Sequence, residues 1–170
     1  MNSPQRIVDG FVDRVYAGID DEDALVIAAF MRELPATIPP EKSRAWDELS
    51  ALVSDPDFEA TMRRMAVESA VDNRIEFGLN VRPLILEHAR PAVEADITPD
   101  SERGRMILNR IVPTELPAAE QHALLSWLAA VTDRRIERYW QLLDELNDHT
   151  PMPSNVPAFA WLAAALTAHR

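Results

Sequence analysis

The chain has no cysteine, only four glycines in 170 residues, and a single lysine, Lys42, among 17 basic side chains. Without cysteine there is no disulfide framework, no cysteine-ligated zinc, no iron–sulfur cluster and no thiol catalysis. One lysine leaves little scope for Schiff-base chemistry. Gly10, Gly18, Gly78 and Gly104 are too scattered for glycine-dependent hairpin turns or for a phosphate-cradling loop of the GxGxxG or GxxxxGK(S/T) kind, which disfavours β-rich and nucleotide-binding folds. Positive charge is also short. Seventeen Lys and Arg face 28 Asp and Glu, and the net charge of −11 repels phosphate backbones and anionic lipid headgroups. The expectation is a chain with no nucleic-acid contact of its own and no membrane contact. No apolar run reaches the roughly 20 residues that span a bilayer, and the opening MNSPQRIVDG is too polar for a signal-peptide core. A cytoplasmic protein is expected.

What is present is proline and helical periodicity. The 13 prolines stand between stretches whose apolar residues recur at three and four positions. With a length that suits one domain and allows roughly 70% of the unfolded surface to be buried, this predicts a single all-α domain over residues 1–170, of eight or nine helices. Ser3-Pro4 opens the first helix, which ends near Gly18. Its Ile7, Phe11 and Val15 could serve a homodimer seam, making residues 1–19 a linker or dimerisation helix, or could pack on the domain itself. Asp20 or Asp21 caps a second helix with Leu25, Ala28, Ala29 and Phe30 inward. A third runs from about Glu41 to Val53. Ser54-Asp55-Pro56 starts a fourth that reaches about Asn73, and 77–80 reads as a turn. The fifth spans about 81–95 and is kinked at Pro91. Thr98-Pro99 begins a sixth, Glu115 a seventh, and Thr132 or Asp133 caps an eighth. The last, from Pro157, is apolar over most of its circumference and is expected in the core.

Catalytic constellations are absent from this reading. His88, His122, His149 and His169 lie on different segments, and none has an HExxH or ExxH partner that would place two ligands on one helix face. No GxSxG or SxxK surrounds a serine. The chain therefore reads as a non-enzyme with no metal and no cofactor. The aromatic residues are more informative: four Trp, two Tyr and five Phe. Tyr139 and Trp140, adjacent and about 100° apart on one helix, cannot both point at one core centre, and each carries a polar group that needs a partner when buried.

The segments AFMREL, AWDELSALVSDPDFEATMRRMA, RIERYWQLLDELND and PSNVPAFAWLAAAL together resemble the C-terminal effector domain of a group of MerR-type transcriptional regulators of actinobacteria, over about residues 24–167. In that family a winged-helix DNA-binding module and a coiled coil precede a helical domain proposed to sense small molecules. The resemblance implies a ligand-binding sensor domain. The alternative is a stand-alone protein that binds an antibiotic or metabolite; an enzyme is the least favoured reading. Nothing here reads as the winged helix or its Arg-rich recognition helix, so direct promoter contact is not expected. The expected ligand is a hydrophobic or aromatic small molecule in a cavity lined by Trp46, Met65, Tyr139, Trp140 and Trp161, with Arg138, Asp72 and Asn73 as candidate orienting groups. A fully packed core without a cavity is the competing expectation.

Overall fold

The computed structural model describes residues 3–72, 81–151 and 153–170, and among them every regular element is helical. We label the helices α1 (Pro4–Val15), α2 (Glu22–Met31), α3 (Ser43–Val53), α4 (Pro56–Asp72), α5 (81–94), α6 (Glu102–Ile111), α7 (Ala118–Val131), α8 (Arg134–Leu146) and α9 (Val156–His169). The all-α fold class follows directly from the periodicity.

Several starts are set by the side chains that the sequence nominates. Ser3 accepts a hydrogen bond from the Arg6 amide and Asp21 from that of Ala24, each satisfying a donor that the first turn leaves free. Asp55 does the same for Asp57 just ahead of α4. Other starts differ. A 3₁₀ turn, Pro40–Lys42, precedes α3, which begins at Ser43 and not at Glu41. The sixth helix begins at Glu102, because Ser101 caps it through the Gly104 amide, while Thr98 and Pro99 turn their carbonyls toward Gly104. A Cβ on Gly104 would lie 2.5 Å from both carbonyl oxygens, so only glycine fits there. The seventh begins at Ala118, after Pro117. Within α5, residues Ile85–Ala89 form a π-helical segment in which the Arg90 amide bonds back to the Ile85 carbonyl. Pro91 has no amide for the Glu87 carbonyl, and the wider turn ahead of it takes up the misfit.

The chain is poor in glycine, and two helices end on aspartate in its place. Asp96 (φ 54°) follows α5 and Asp148 (φ 61°) follows α8. Each sits at the left-handed position of a Schellman motif, with Ile97 bonding back to Ala92 and His149 to Asp144.

The described residues segregate into two compact units. Unit 1 takes those of 1–72 and 135–153, and unit 2 those of 73–134 and 154–170. Each is assembled from separate stretches of chain, which is why no shift in composition marks a boundary.

In unit 1, α1 packs on α2, α3 and α4. Phe11 stacks on Phe58 (centroids 5.7 Å apart), and both lie against Tyr139 of α8 at 5.9 and 6.2 Å. All three are fully buried, each contributing about 1.5–3 kcal/mol by burial and about 0.5–1.5 kcal/mol more per ring pair. Phe11 and Val15 are thus spent in the core of their own unit and are not open to a dimer seam. The inward face of α2 also differs from expectation. Ala24, Ala28 and Met31 point in, while Leu25 and Phe30 are 45% and 54% exposed. This helix is apolar nearly all round, so periodicity could not choose its face; the two alanines let it approach α1 and α4 closely.

In unit 2 the core is mainly aliphatic, built on Ile85, Leu108, Leu124, Leu128, Leu162 and Leu166, with Phe159 and Trp161 in the same cluster. The last helix, α9, packs on α5, α6 and α7 and buries residues from Val156 to Leu166, Phe159, Trp161 and Leu162 among them, while Pro157, Ala160, Ala164, Thr167 and Ala168 stay exposed. Trp127 meets Phe159 edge-on at 5.8 Å.

Candidate functional site

Two helices of unit 1 present facing stripes of polar and small side chains. On α3, Ala45, Leu49 and Val53 turn inward, which leaves Arg44, Glu48, Ala51 and Leu52 along the flank and surface, with Asp55 just beyond the helix. On α8, Ile136, Tyr139, Leu142, Leu143 and Leu146 are buried, and the same 3.6-residue period puts Arg135, Arg138 and Glu145 to the side. The stripes meet through Arg138. Its Nε donates to Glu48 Oε1 at 2.6 Å and its Nη2 to Glu48 Oε2 at 2.7 Å, a forked pair, while Nη1 donates to Glu145 at 3.2 Å. The Arg138 hydrogen bonds hold the Glu48 carboxyl below its ordinary range, and Glu48 in turn raises the guanidinium of Arg138. Glu48 therefore favours the folded state at neutral pH, and this contribution fades as the pH falls through its lowered pKa.

The Arg138–Glu48 pair divides the space between α3 and α8 into two recesses. One, of about 340 Å³, is lined by Glu48, Ala51, Leu52, Asp55, Arg135 and Arg138. The other, of about 480 Å³, is lined by Glu41, Lys42, Arg44, Ala45, Glu48, Arg138 and Glu145. At the first, Arg135 reaches Asp57 at 2.8 Å and lies over the Phe58 ring at 5.6 Å. At the second, Lys42 donates to the Leu146 carbonyl at 3.1 Å and to Asp148 at 2.5 Å, fastening the 3₁₀ turn to the end of α8. The linings hold apolar patches, paired cations and carboxylates, and no serine or histidine set up as nucleophile and base.

The residues nominated from sequence fall in different places. Tyr139 is fully buried, and its hydroxyl donates to the Met31 carbonyl at 2.7 Å. Burial raises its pKa, and raises that of Tyr16, whose hydroxyl meets the Met31 sulfur, to about 12. Trp140 is half-buried, edge-on to Tyr139 at 6.0 Å. Trp46 on α3 and Met65 on α4 are half-buried in the same unit. Trp161 belongs to unit 2, where it is buried with its Nε1 donating to the Ile97 carbonyl at 2.7 Å. None of these five lines either recess. Of the polar candidates, Arg138 is the divider itself, the side chain of Asp72 is not described, and Asn73 lies outside the described residues. Nothing in the sequence singles out Glu48 or Arg135, and Lys42 stands out there only as the lone lysine. The only hint was a pair of charged stripes at helical spacing, 90 residues apart where Glu48 meets Arg138.

Among the described residues, no three His, Asp or Glu side chains gather as a metal site, and no helix is long and apolar enough to cross a membrane. Compared with models of protein families, with curated proteins and with solved structures, the chain finds no match.

Proposed function

We propose that this chain is a small-molecule-sensing domain of the MerR-regulator kind, a binding module and not an enzyme, with its ligand seated between α3 and α8. One observation carries the reading. AWDELSALVSDPDF and RIERYWQLLDELND, two of the segments on which the resemblance rests, are the helices whose outward stripes enclose both recesses. The ligand class in keeping with these walls is a small hydrophobic or aromatic molecule with one polar group. Its apolar body rests on Ala51 and Leu52, and its polar group competes with Glu48 for the donors of Arg138. Such exchange is cheap, because Glu48 and Arg138 are 48% and 37% exposed and pairs of that kind contribute about 0–1 kcal/mol. Binding would replace one Arg138 partner by another and so shift the population of α8 positions.

The test uses Trp46 and Trp140, which lie half-buried on these two helices, as fluorescence reporters, with melting temperature as a second readout against a library of hydrophobic metabolites and antibiotics. A hit should bind about tenfold more weakly to Leu52→Ala and Arg138→Met, both checked for retained helicity. It should bind unchanged to Arg105→Met, whose parent side chain pairs with Glu102 on its own helix in unit 2. A library without a hit, or hits indifferent to both groove variants, would contradict the proposal.

A further inference from the structure

We propose that the outer face of α2 is a docking surface for a basic amphipathic helix of another protein. The observation behind it is separate from the α3–α8 groove. Leu25, Val26 and Phe30 are 45%, 55% and 54% exposed, and Ala29 is exposed beside them. At helical spacing, 25 with 29, 26 with 29 and 26 with 30 are neighbours, so the four form one continuous strip. Exposed apolar residues scattered singly carry no message, but a contiguous strip marks an interaction surface.

The charge around the strip says what covers it. Asp20, Glu22 and Asp23 stand exposed at its N-terminal end and Glu33 at its C-terminal end, and none pairs with a cation among the described residues. Acids at the start of α2 favour the helix dipole, but Glu33 at the opposite end does not, so local helix stability does not account for the pattern. Arg32, the cation next in the chain to the strip, pairs with Asp13 of α1 at 2.7 Å. A second copy of the chain would bring the same acidic rim and a net charge of −11 to the contact, and an anionic membrane would be repelled likewise. The complement is a helix with apolar residues at three- and four-residue spacing and Lys or Arg at its ends, laid along the strip.

The probe is a synthetic helical peptide of leucine and lysine, titrated into the full chain by fluorescence anisotropy. It is run beside a leucine–glutamate peptide of the same spacing and an oligolysine of equal charge. Both controls should bind at least about tenfold more weakly. A Val26→Ser, Phe30→Ser double variant, whose changes lie on the surface, should lose about tenfold in affinity, and Glu33→Gln a few-fold with a flatter salt dependence. As a readout that needs no variant, amide exchange of the wild-type chain should show protection by the peptide confined to 20–33. Equal binding of oligolysine, equal binding to the double variant, or protection elsewhere would overturn the proposal, since plain charge attraction would then suffice. So would self-association of the free chain that Phe30→Ser abolishes, which would make the face homotypic.

Discussion

The two units solve the same problem, tying together separated helices, with different chemistry. Unit 1 clusters aromatic rings at its centre and links its helices at the surface by ion pairs: Arg14 with Glu59, Arg32 with Asp13, Arg135 with Asp57 and Arg138 with Glu48. Unit 2 has a mainly aliphatic centre that also takes in Phe159 and Trp161, and the long-range ties described there run largely to backbone carbonyls. Trp161 donates to Ile97, the His169 ring to Pro99 and Arg170 to Pro113, while the Arg90 guanidinium meets the Asn155 side chain. Unit 1 has such ties too, Tyr139 to Met31, Lys42 to Leu146 and Arg63 to Val15 among them, and adds the ion pairs to them. Charges held at a surface can exchange partners with a ligand; side chains bonded to a particular carbonyl fix a shape. The recesses between α3 and α8 lie among the ion pairs of unit 1, which is why the proposed ligand is placed there.

The largest expected effect falls at the centre of unit 1. Tyr139→Ala should cost about 3–5 kcal/mol, since it opens a cavity between Phe11 and Phe58. Tyr139→Phe should cost about 1–2 kcal/mol, the hydrogen bond to Met31 alone. Denaturant melts of both variants check this. Equal losses would mean that the hydroxyl, and not ring packing, organises the unit. In unit 2 the corresponding weak point is backbone approach: Gly104→Ala should cost about 1–3 kcal/mol, because its Cβ meets two carbonyls that belong to the turn and cannot step aside. Amide exchange should place that loss in unit 2.

Alkaline pH separates the units without mutation. Both tyrosines of the chain lie in unit 1, and burial raises both above the ordinary value of 10. A raised pKa means that the unfolded chain loses its phenolic protons first. The phenols therefore support folding fully below pH 10, and the support drains away as the pH rises towards about 12, the value to which Tyr16 is pushed. Tyrosinate absorbance should appear only as unit 1 opens. Smooth titration near the ordinary value in a folded chain would contradict the burial of both rings.

The smallest effect concerns the two left-handed aspartates. Asp96→Gly should stabilise the chain by up to about 1 kcal/mol, because glycine adopts that conformation without strain. Asp148→Gly should gain nothing net, since it also removes the partner of Lys42. Thermal melts of the pair test whether the ion pair in unit 1 offsets the strain.

How much of this was legible in the sequence depends on the range of the interaction. Caps and prolines act within four residues, so the starts at Ser3, Asp21 and Asp55 can be read directly; the burial of the last helix can be read only in part, since Pro157, Ala160, Ala164, Thr167 and Ala168 stay exposed. The face of α2 cannot, because Leu25, Ala28 and Phe30 offer equally apolar alternatives and only the fit against α1 and α4 decides. Thr98-Pro99 reads as a helix start because cap and proline stand together, but Ser101 competes three residues after Thr98 and its bond to Gly104 prevails. For the site, the sequence points to Arg138 and not to its partner Glu48: one residue of a pair is visible on its own helix, and the pairing exists only once the chain has folded. Tyr139 and Trp161 stand out in the sequence as large amphipathic rings, while the carbonyls of Met31 and Ile97 that satisfy them lie 108 and 64 residues away and carry no signal of their own.

The most direct test of the central claim, that unit 1 receives a small molecule between α3 and α8, is a map of amide chemical-shift changes as a fluorescence-screen hit is titrated into the isotope-labelled chain. The account predicts the largest shifts along 41–55 and 135–146, saturating together with the fluorescence change, and little response in α6, α7 and α9. Shifts centred on unit 2, or spread evenly over the chain, would contradict it.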